Sequence, residues 1–172
     1  AFNQVSPLLT KASEGTFPKD VMVTNVSDTT FTVSWITTQP SAGAIRLDGT
    51  SKNALYYDDR ITASSSQSPP THEYMTHMVT IRSLKPETSY EFRILSNGKS
   101  YQNGGKPYKI RTAPLLTGLG TTIEPSYGQI ANPSGDPAEG VLIYLTLSGG
   151  QMLSALTKSG GTWVIPLNRA RT

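Results

Sequence analysis

The 172-residue chain contains no cysteine. Disulfides, thiolate metal sites and a cysteine nucleophile are therefore excluded, although a chain without cysteine fits a cytosolic and a surface protein alike. Charge is sparse, at 16% of residues, with 15 Lys and Arg against 12 Asp and Glu. Lys99, Lys106, Lys109 and Arg111 gather near Tyr101 and Tyr108. A nucleic-acid surface needs a denser basic stripe with interleaved aromatics, so this group reads as one solvated strand face and nucleic acid is not expected as a partner. No apolar run approaches the roughly 20 residues of a membrane helix, and no membrane segment is expected. Amphipathic helical stretches are also missing. What is present is Ser, Thr, aromatic and β-branched residues, punctuated by 12 Pro and 15 Gly. That composition predicts an all-β protein with many turns. A surface made polar by hydroxyls is common in extracellular stalk proteins, so the expected location is extracellular or at the cell surface. The chain opens on Ala1, which reads as a piece of a longer polypeptide.

Strands are legible from alternation. In TFTVSW (30–35), Phe31, Val33 and Trp35 share one face, because side chains on a strand alternate with a period of two. Further strands are expected at 21–23, 44–47, 74–83, 90–95 and 106–112, with a short strand or edge at 55–59. Turns are expected at 25–29, at Asp48-Gly49 and at Asn97-Gly98, a hairpin dipeptide. Residues 39–43 read as a loop, and ASSSQSPPT (63–71) as a long exposed one, since proline cannot donate to a ladder.

The spacing of Val33 and Trp35, then Leu84, Pro86, Thr88 and Tyr90, resembles the fibronectin type III pattern of V-x-W followed by L-x-P-x-T-x-Y. The resemblance implies a β-sandwich at 17–114 after a lead-in at 1–16, with Trp35, Leu84, Pro86 and Tyr90 as its structural core. It implies that the Tyr90 hydroxyl bonds to backbone near the 84–86 turn. SWITTQPSAGAIRLDG (34–49) and HMVTIRSLKPETSYEFRI (77–94) are closest to the fibronectin-like domain that precedes the catalytic domain of purple acid phosphatases. The metallophosphatase domain itself is not in this sequence, so nothing catalytic is carried over.

A Pro- and Gly-punctuated linker at 115–124 leads to a second unit at 125–172. Strands are expected at 127–130, 141–147, 153–157 and 162–167, with a turn at 131–140. Gly128, Ile130, Gly135, Pro137, Gly140, Val141, Ile143, Leu145, Thr157, Gly160, Gly161, Trp163, Ile165, Pro166 and Leu167 form a pattern that resembles a carboxypeptidase regulatory-like, transthyretin-like β-sandwich. The resemblance adds Trp163 to the structural core. Only part of such a unit is visible, and a fragment of this size buries too little to stand alone. Its cover is expected from strands beyond Thr172, from the first domain, or from a strand donated by a neighbouring copy. The apolar lead-in with Val5, Leu8 and Leu9 is suited to the last role, and truncation is the first expectation.

Catalytic chemistry is not expected. His72, Glu73 and His77 are spaced H-E-x-x-x-H, one residue too long for a helical zinc motif, and on a strand the two imidazoles face apart. Asp58, Asp59 and Asp48 lack a calcium-loop pattern and read as a solvated edge. Glu73, Glu87, Glu91 and Glu124 lie on separate elements, no G-x-S-x-G elbow occurs, and no cofactor is implied. Asn25-Val26-Ser27 is a glycosylation sequon, meaningful in a eukaryotic secretory pathway. Tyr56, Tyr57, Tyr74, Tyr101, Tyr108 and Tyr127 would suit carbohydrate stacking if several were exposed.

The sequence thus predicts a non-catalytic fibronectin type III-like β-sandwich followed by a second, incomplete one. The expected role is a structural, spacer or adhesion module of a larger prokaryotic surface or secreted protein, contacting adjacent domains or neighbouring copies. The rivals are an accessory domain of a secreted phosphatase or glycosidase and a carbohydrate-binding module.

Overall fold

A computed structural model describes residues 15–49, 54–61, 72–117 and 123–171. The expected loop at 63–71 and the apolar lead-in at 1–9 lie outside these residues. The first eight strands are β1 (Lys19–Thr24), β2 (Phe31–Ser41), β3 (Gly43–Asp48), β4 (Leu55–Tyr57), β5 (Tyr74–Ile81), β6 (Ser89–Ser96), β7 (Lys99–Tyr101) and β8 (Tyr108–Arg111). They form a three-stranded sheet, β1-β2-β5, and a five-stranded sheet, β4-β3-β6-β7 with β8 also on β6. All pairings are antiparallel. The inward faces alternate as the sequence dictates: Phe31, Val33 and Trp35 from β2 meet Ile45, Leu47, Phe92 and Ile94 from the other sheet, all fully buried. Phe31 packs on Phe92 at 5.6 Å between ring centroids, and Phe92 stacks on Tyr108 at 5.2 Å.

Two details differ from the sequence reading. Residues 39–41 are not loop but continue β2 to Ser41. The ladder to β5 breaks between Ile36 and Ser41, and Thr38 and Gln39 donate instead to the Gly15 carbonyl, so Pro40 sits where no donor is required. A strand at 99–101 was also not expected. It forms because Asn97 and Gly98, both at positive φ, fold a two-residue hairpin that returns Lys99 onto Ser96.

The remaining strands are β9 (Ser126–Gln129), β10 (Leu142–Thr146), β11 (Met152–Leu156) and β12 (Thr162–Ile165). They pair as two antiparallel ribbons, β10–β11 and β9–β12. Between the ribbons lie Leu153, Ala155 and Ile165, flanked by Ile143, Leu145 and Trp163. Trp163 faces Gly128 across the ladder, and a Cβ at that glycine would fall 2.8 Å from the indole. Only glycine admits the ring there. This cluster is small, as its length requires. It does not stand alone, because the other face of β10–β11 lies on the outer face of β1-β2-β5. The first domain lies against the Tyr144 and Ser154 face of this ribbon, whereas its apolar face meets β9–β12.

Candidate functional site

The junction between the two β units carries a dense set of polar side-chain contacts. On β2 the outward residues Thr32 and Ser34 alternate with the core residues and should be solvated. Instead Thr32 is 1% and Ser34 0% exposed, because Tyr144 and Ser154, cross-strand partners on β10–β11, come down onto this sheet. The Tyr144 hydroxyl bonds Ser34 Oγ at 2.9 Å, and Thr24 Oγ1 bonds Ser154 Oγ at 2.6 Å. Further along, Thr76 donates to the Gly140 carbonyl at 2.6 Å.

Two side-chain amides, one from each unit, close the seam. Asn25 sits at φ +52°, a left-handed conformation that asparagine tolerates better than most residues. From there its Oδ1 accepts from Ser154 N–H at 2.9 Å and its Nδ2 donates to Ser154 O at 3.0 Å. The amide thus acts as a surrogate peptide group on the edge of β11. In reverse, Val26 N–H donates to Gln151 Oε1 at 2.7 Å while Gln151 Nε2 donates to Val26 O at 2.9 Å. Backbone groups that would otherwise be stranded between the units are satisfied in both directions.

The same device seals the free edge of β5. Asp58, 1% exposed, holds Arg60 through two contacts of 2.7 and 2.9 Å and accepts from Met78 N–H at 3.1 Å. Asp59 donates its own N–H to Met78 O and accepts from both N–H and hydroxyl of Thr80, at 3.0 and 2.5 Å. Arg60 reaches the Thr76 carbonyl and lies over the Tyr74 ring, 3.4 Å from its centroid. Asp58 is therefore not part of a solvated edge; Asp59 is exposed, yet its carboxylate too bonds along the edge of β5. Asp48 is elsewhere, paired to Arg93 at 3.0 Å.

Between the units runs a groove of about 560 Å³. Asp59, Thr80, Thr32 and Asn25 lie along one side, and residues 153–159 along the other. Although Asp59 as a residue is exposed, its carboxyl loses hydration against this wall, and that burial pushes its pKa up, partly countered by the Thr80 bonds and Arg82.

His72 and His77 do not converge. His72 is exposed and stacks near Tyr74. His77 is fully buried and lies parallel to Trp35, with ring centroids 4.7 Å apart. Its Nε2 is 3.1 Å from Ser41 Oγ, the spacing of a nucleophile and its base. Both residues are 0% exposed and Asp58 is committed to Arg60, so no substrate reaches the pair. Burial lowers the His77 pKa to about 4, with Asp58 opposing and Arg60 adding to the shift. Gly43 makes room here, since a Cβ at that position would lie 2.3 Å from His77 Nδ1.

Among the other residues singled out in the sequence, Trp35 is fully buried and Leu84 is 8% exposed. Pro86 is half-buried, and the Tyr90 hydroxyl accepts from Lys85 N–H at 2.8 Å. Glu91 pairs with Lys109 and Glu87 with Arg111 on the outer face of the large sheet. Of the six tyrosines considered for carbohydrate, only Tyr127 is strongly exposed, at 74%, so they make no row of open rings. Among the described residues, no three His, Asp or Glu side chains gather as metal ligands, and no helix is long and apolar enough to cross a membrane. The sequence reading missed Asn25, Gln151 and Ser154 as a group. Their partners lie more than 120 residues apart, and no local pattern marks them.

No curated protein matches the chain. A solved structure from the computer-based redesign of a β-sandwich protein aligns at 22% identity over 58% of this chain and 96% of its own, with a TM-score of 0.32. The family described as the purple acid phosphatase N-terminal domain matches residues 18–112, the span that carries the Val33–Trp35 strand and the Leu84–Tyr90 turn. With more than half of its length in that match, the chain belongs to the purple acid phosphatase N-terminal domain family.

Proposed function

We propose that this chain is a non-catalytic spacer module of a larger prokaryotic surface or secreted protein, in which two β units are held at a set angle. The observation that supports it most is the junction: reciprocal amide brackets at Asn25 and Gln151, with the hydroxyl contacts at Ser34 and Thr24, give the second unit one defined seat on the first. We read residues 17–114 as the fibronectin-like domain, 115–124 as linker and 125–172 as a partial carboxypeptidase regulatory-like unit. The order of β9 to β12 and the Gly128–Trp163 pairing support that reading. The hydroxyl-rich, weakly charged composition supports an extracellular setting. Residual dipolar couplings test the spacer directly. One alignment tensor should fit the amides of both units, and two unrelated tensors would refute it.

A second reading, an accessory domain of a secreted hydrolase, is favoured by the family match. It predicts a catalytic domain in the same polypeptide, and it predicts that this chain alone hydrolyses p-nitrophenyl phosphate no faster than buffer.

A further inference from the structure

The chain carries two Asn-Gly dipeptides, Asn97-Gly98 and Asn103-Gly104. This dipeptide is chemically fragile. The glycine nitrogen, with no Cβ beside it, can approach the carboxamide carbon of the preceding asparagine and attack it. Whether it does so in a folded chain depends on how firmly the carboxamide is held.

The fold holds the two differently. Asn97 sits in the β6–β7 turn at φ +46°. Its Oδ1 accepts from Ala42 N–H at 2.7 Å, and its own N–H donates to Ala42 O at 2.9 Å. The side chain is bracketed to the β2–β3 connection and must break a bond before Cγ can turn toward Gly98. Asn103 lies in the connection from β7 to β8. It exchanges two backbone bonds with Lys106, at 2.9 and 3.1 Å, around Gly104 and Gly105 at φ +56° and +81°. Those bonds engage its backbone alone. Asn103 is exposed, and no described residue bonds its carboxamide or the Gly104 N–H. The tip is open: nothing lies within 4 Å of where a Cβ would stand on Gly104 or Gly105.

We infer that Asn103 is a self-modifying site, at which deamidation proceeds in the folded chain while Asn97 is spared. Gly104 N loses its proton to hydroxide and bonds to Asn103 Cγ. The Cγ–Nδ2 bond breaks, and ammonia leaves with a proton from water. A second water opens the cyclic imide at either carbonyl, which leaves aspartate or isoaspartate at position 103. Each event adds one negative charge. Isoaspartate also lengthens the backbone inside the Asn103–Lys106 bridge, while β7 and β8 stay held by β6. The test is incubation of the full chain at mildly alkaline pH, in native buffer and in urea, followed by tryptic mass spectrometry. The peptides Ile94–Lys99 and Ser100–Lys109 separate the two sites. In native buffer Ser100–Lys109 should gain the mass of amide-to-acid conversion about tenfold faster than Ile94–Lys99, the factor set by the Asn97 bonds. In urea the two rates should converge. Asn103→Ser should abolish the gain in Ser100–Lys109, which separates this site from Gln102. Equal native rates, or faster conversion at Asn97, overturn the proposal. So do a tenfold ratio that survives unfolding, a gain that persists in Asn103→Ser, and an Asn103 left intact while the urea-unfolded chain converts.

Discussion

Replacing Asn25 tests the junction most sharply. The side chain makes two bonds to the Ser154 backbone and two longer ones, to Ser154 Oγ at 3.2 Å and Thr32 Oγ1 at 3.3 Å. A typical net hydrogen bond contributes about 0.5–1.5 kcal/mol, so losing the two backbone bonds should weaken the seat of the second unit by about 1–3 kcal/mol. Water from the adjacent groove can reach part of the gap, which keeps the effect below the full cost of a buried orphan. Asn25→Gly removes the side chain but suits the positive φ. Asn25→Ala removes it and adds about 1–2 kcal/mol of left-handed strain. The pair of variants separates the two causes. Hydrogen exchange reads the result by region: about 2 kcal/mol corresponds to roughly thirtyfold faster exchange. The increase is expected at β10 and β11, whereas the amides of β3 and β6, in the other sheet, should stay as in the parent. Parent-like protection of Ser154 in Asn25→Gly would refute the reasoning, as would uniform acceleration across both units.

Trp35→Ala should cost about 3–5 kcal/mol, seen as a lower urea midpoint, because the indole is fully buried between the sheets; a loss below about 1 kcal/mol would place the core elsewhere. Stability should also fall with acid. The folded pKa of His77 is lowered to about 4 from 6.5, so its contribution is complete above pH 6.5. It is lost as pH drops toward 4, where the unfolded chain takes the proton first, by up to roughly 3 kcal/mol. Asp59, with a raised pKa, works in the opposite sense at the acid end, since its contribution is full below the unfolded value of 3.8 and fades as pH rises through its folded pKa. Urea midpoints between pH 7.5 and 4.5 check this, and a His77→Gln variant that keeps the same slope would refute it. Finally, in a eukaryotic secretory host a glycan on Asn25 and a seated second unit should exclude each other, since both Nδ2 hydrogens face Ser154 and Thr32. Mass spectrometry with limited proteolysis would decide, and a glycosylated chain with protected β11 would contradict it.

The first sandwich was readable because its signals are local. Phe31, Val33 and Trp35 alternate within one strand, and Leu84, Pro86 and Tyr90 lie within one turn. The junction was not readable for the opposite reason. Thr32 and Ser34 occupy an outward face and look like solvated hydroxyls; only a second unit more than 100 residues away buries them. Asp58 and Asp59 looked like a wet edge because their partners, Met78 and Thr80, are about 20 positions on. The end of β2 was misread because the register break that admits Pro40 depends on Gly15 arriving alongside.

The seam at Asn25 and Gln151 is made mostly of side chains, with one backbone bond from Asn25 N–H to Met152 O at 3.3 Å, and not of a shared ladder. A ladder ties the angle between two units to the path of their backbones, which changes only with the fold. Here the angle rests on a few codons. Single substitutions at Asn25, Gln151 or Tyr144 can release the joint, and compensating ones can reset it, while every strand stays where it is. Relatives that keep both β units are therefore expected to differ most in how one leans on the other.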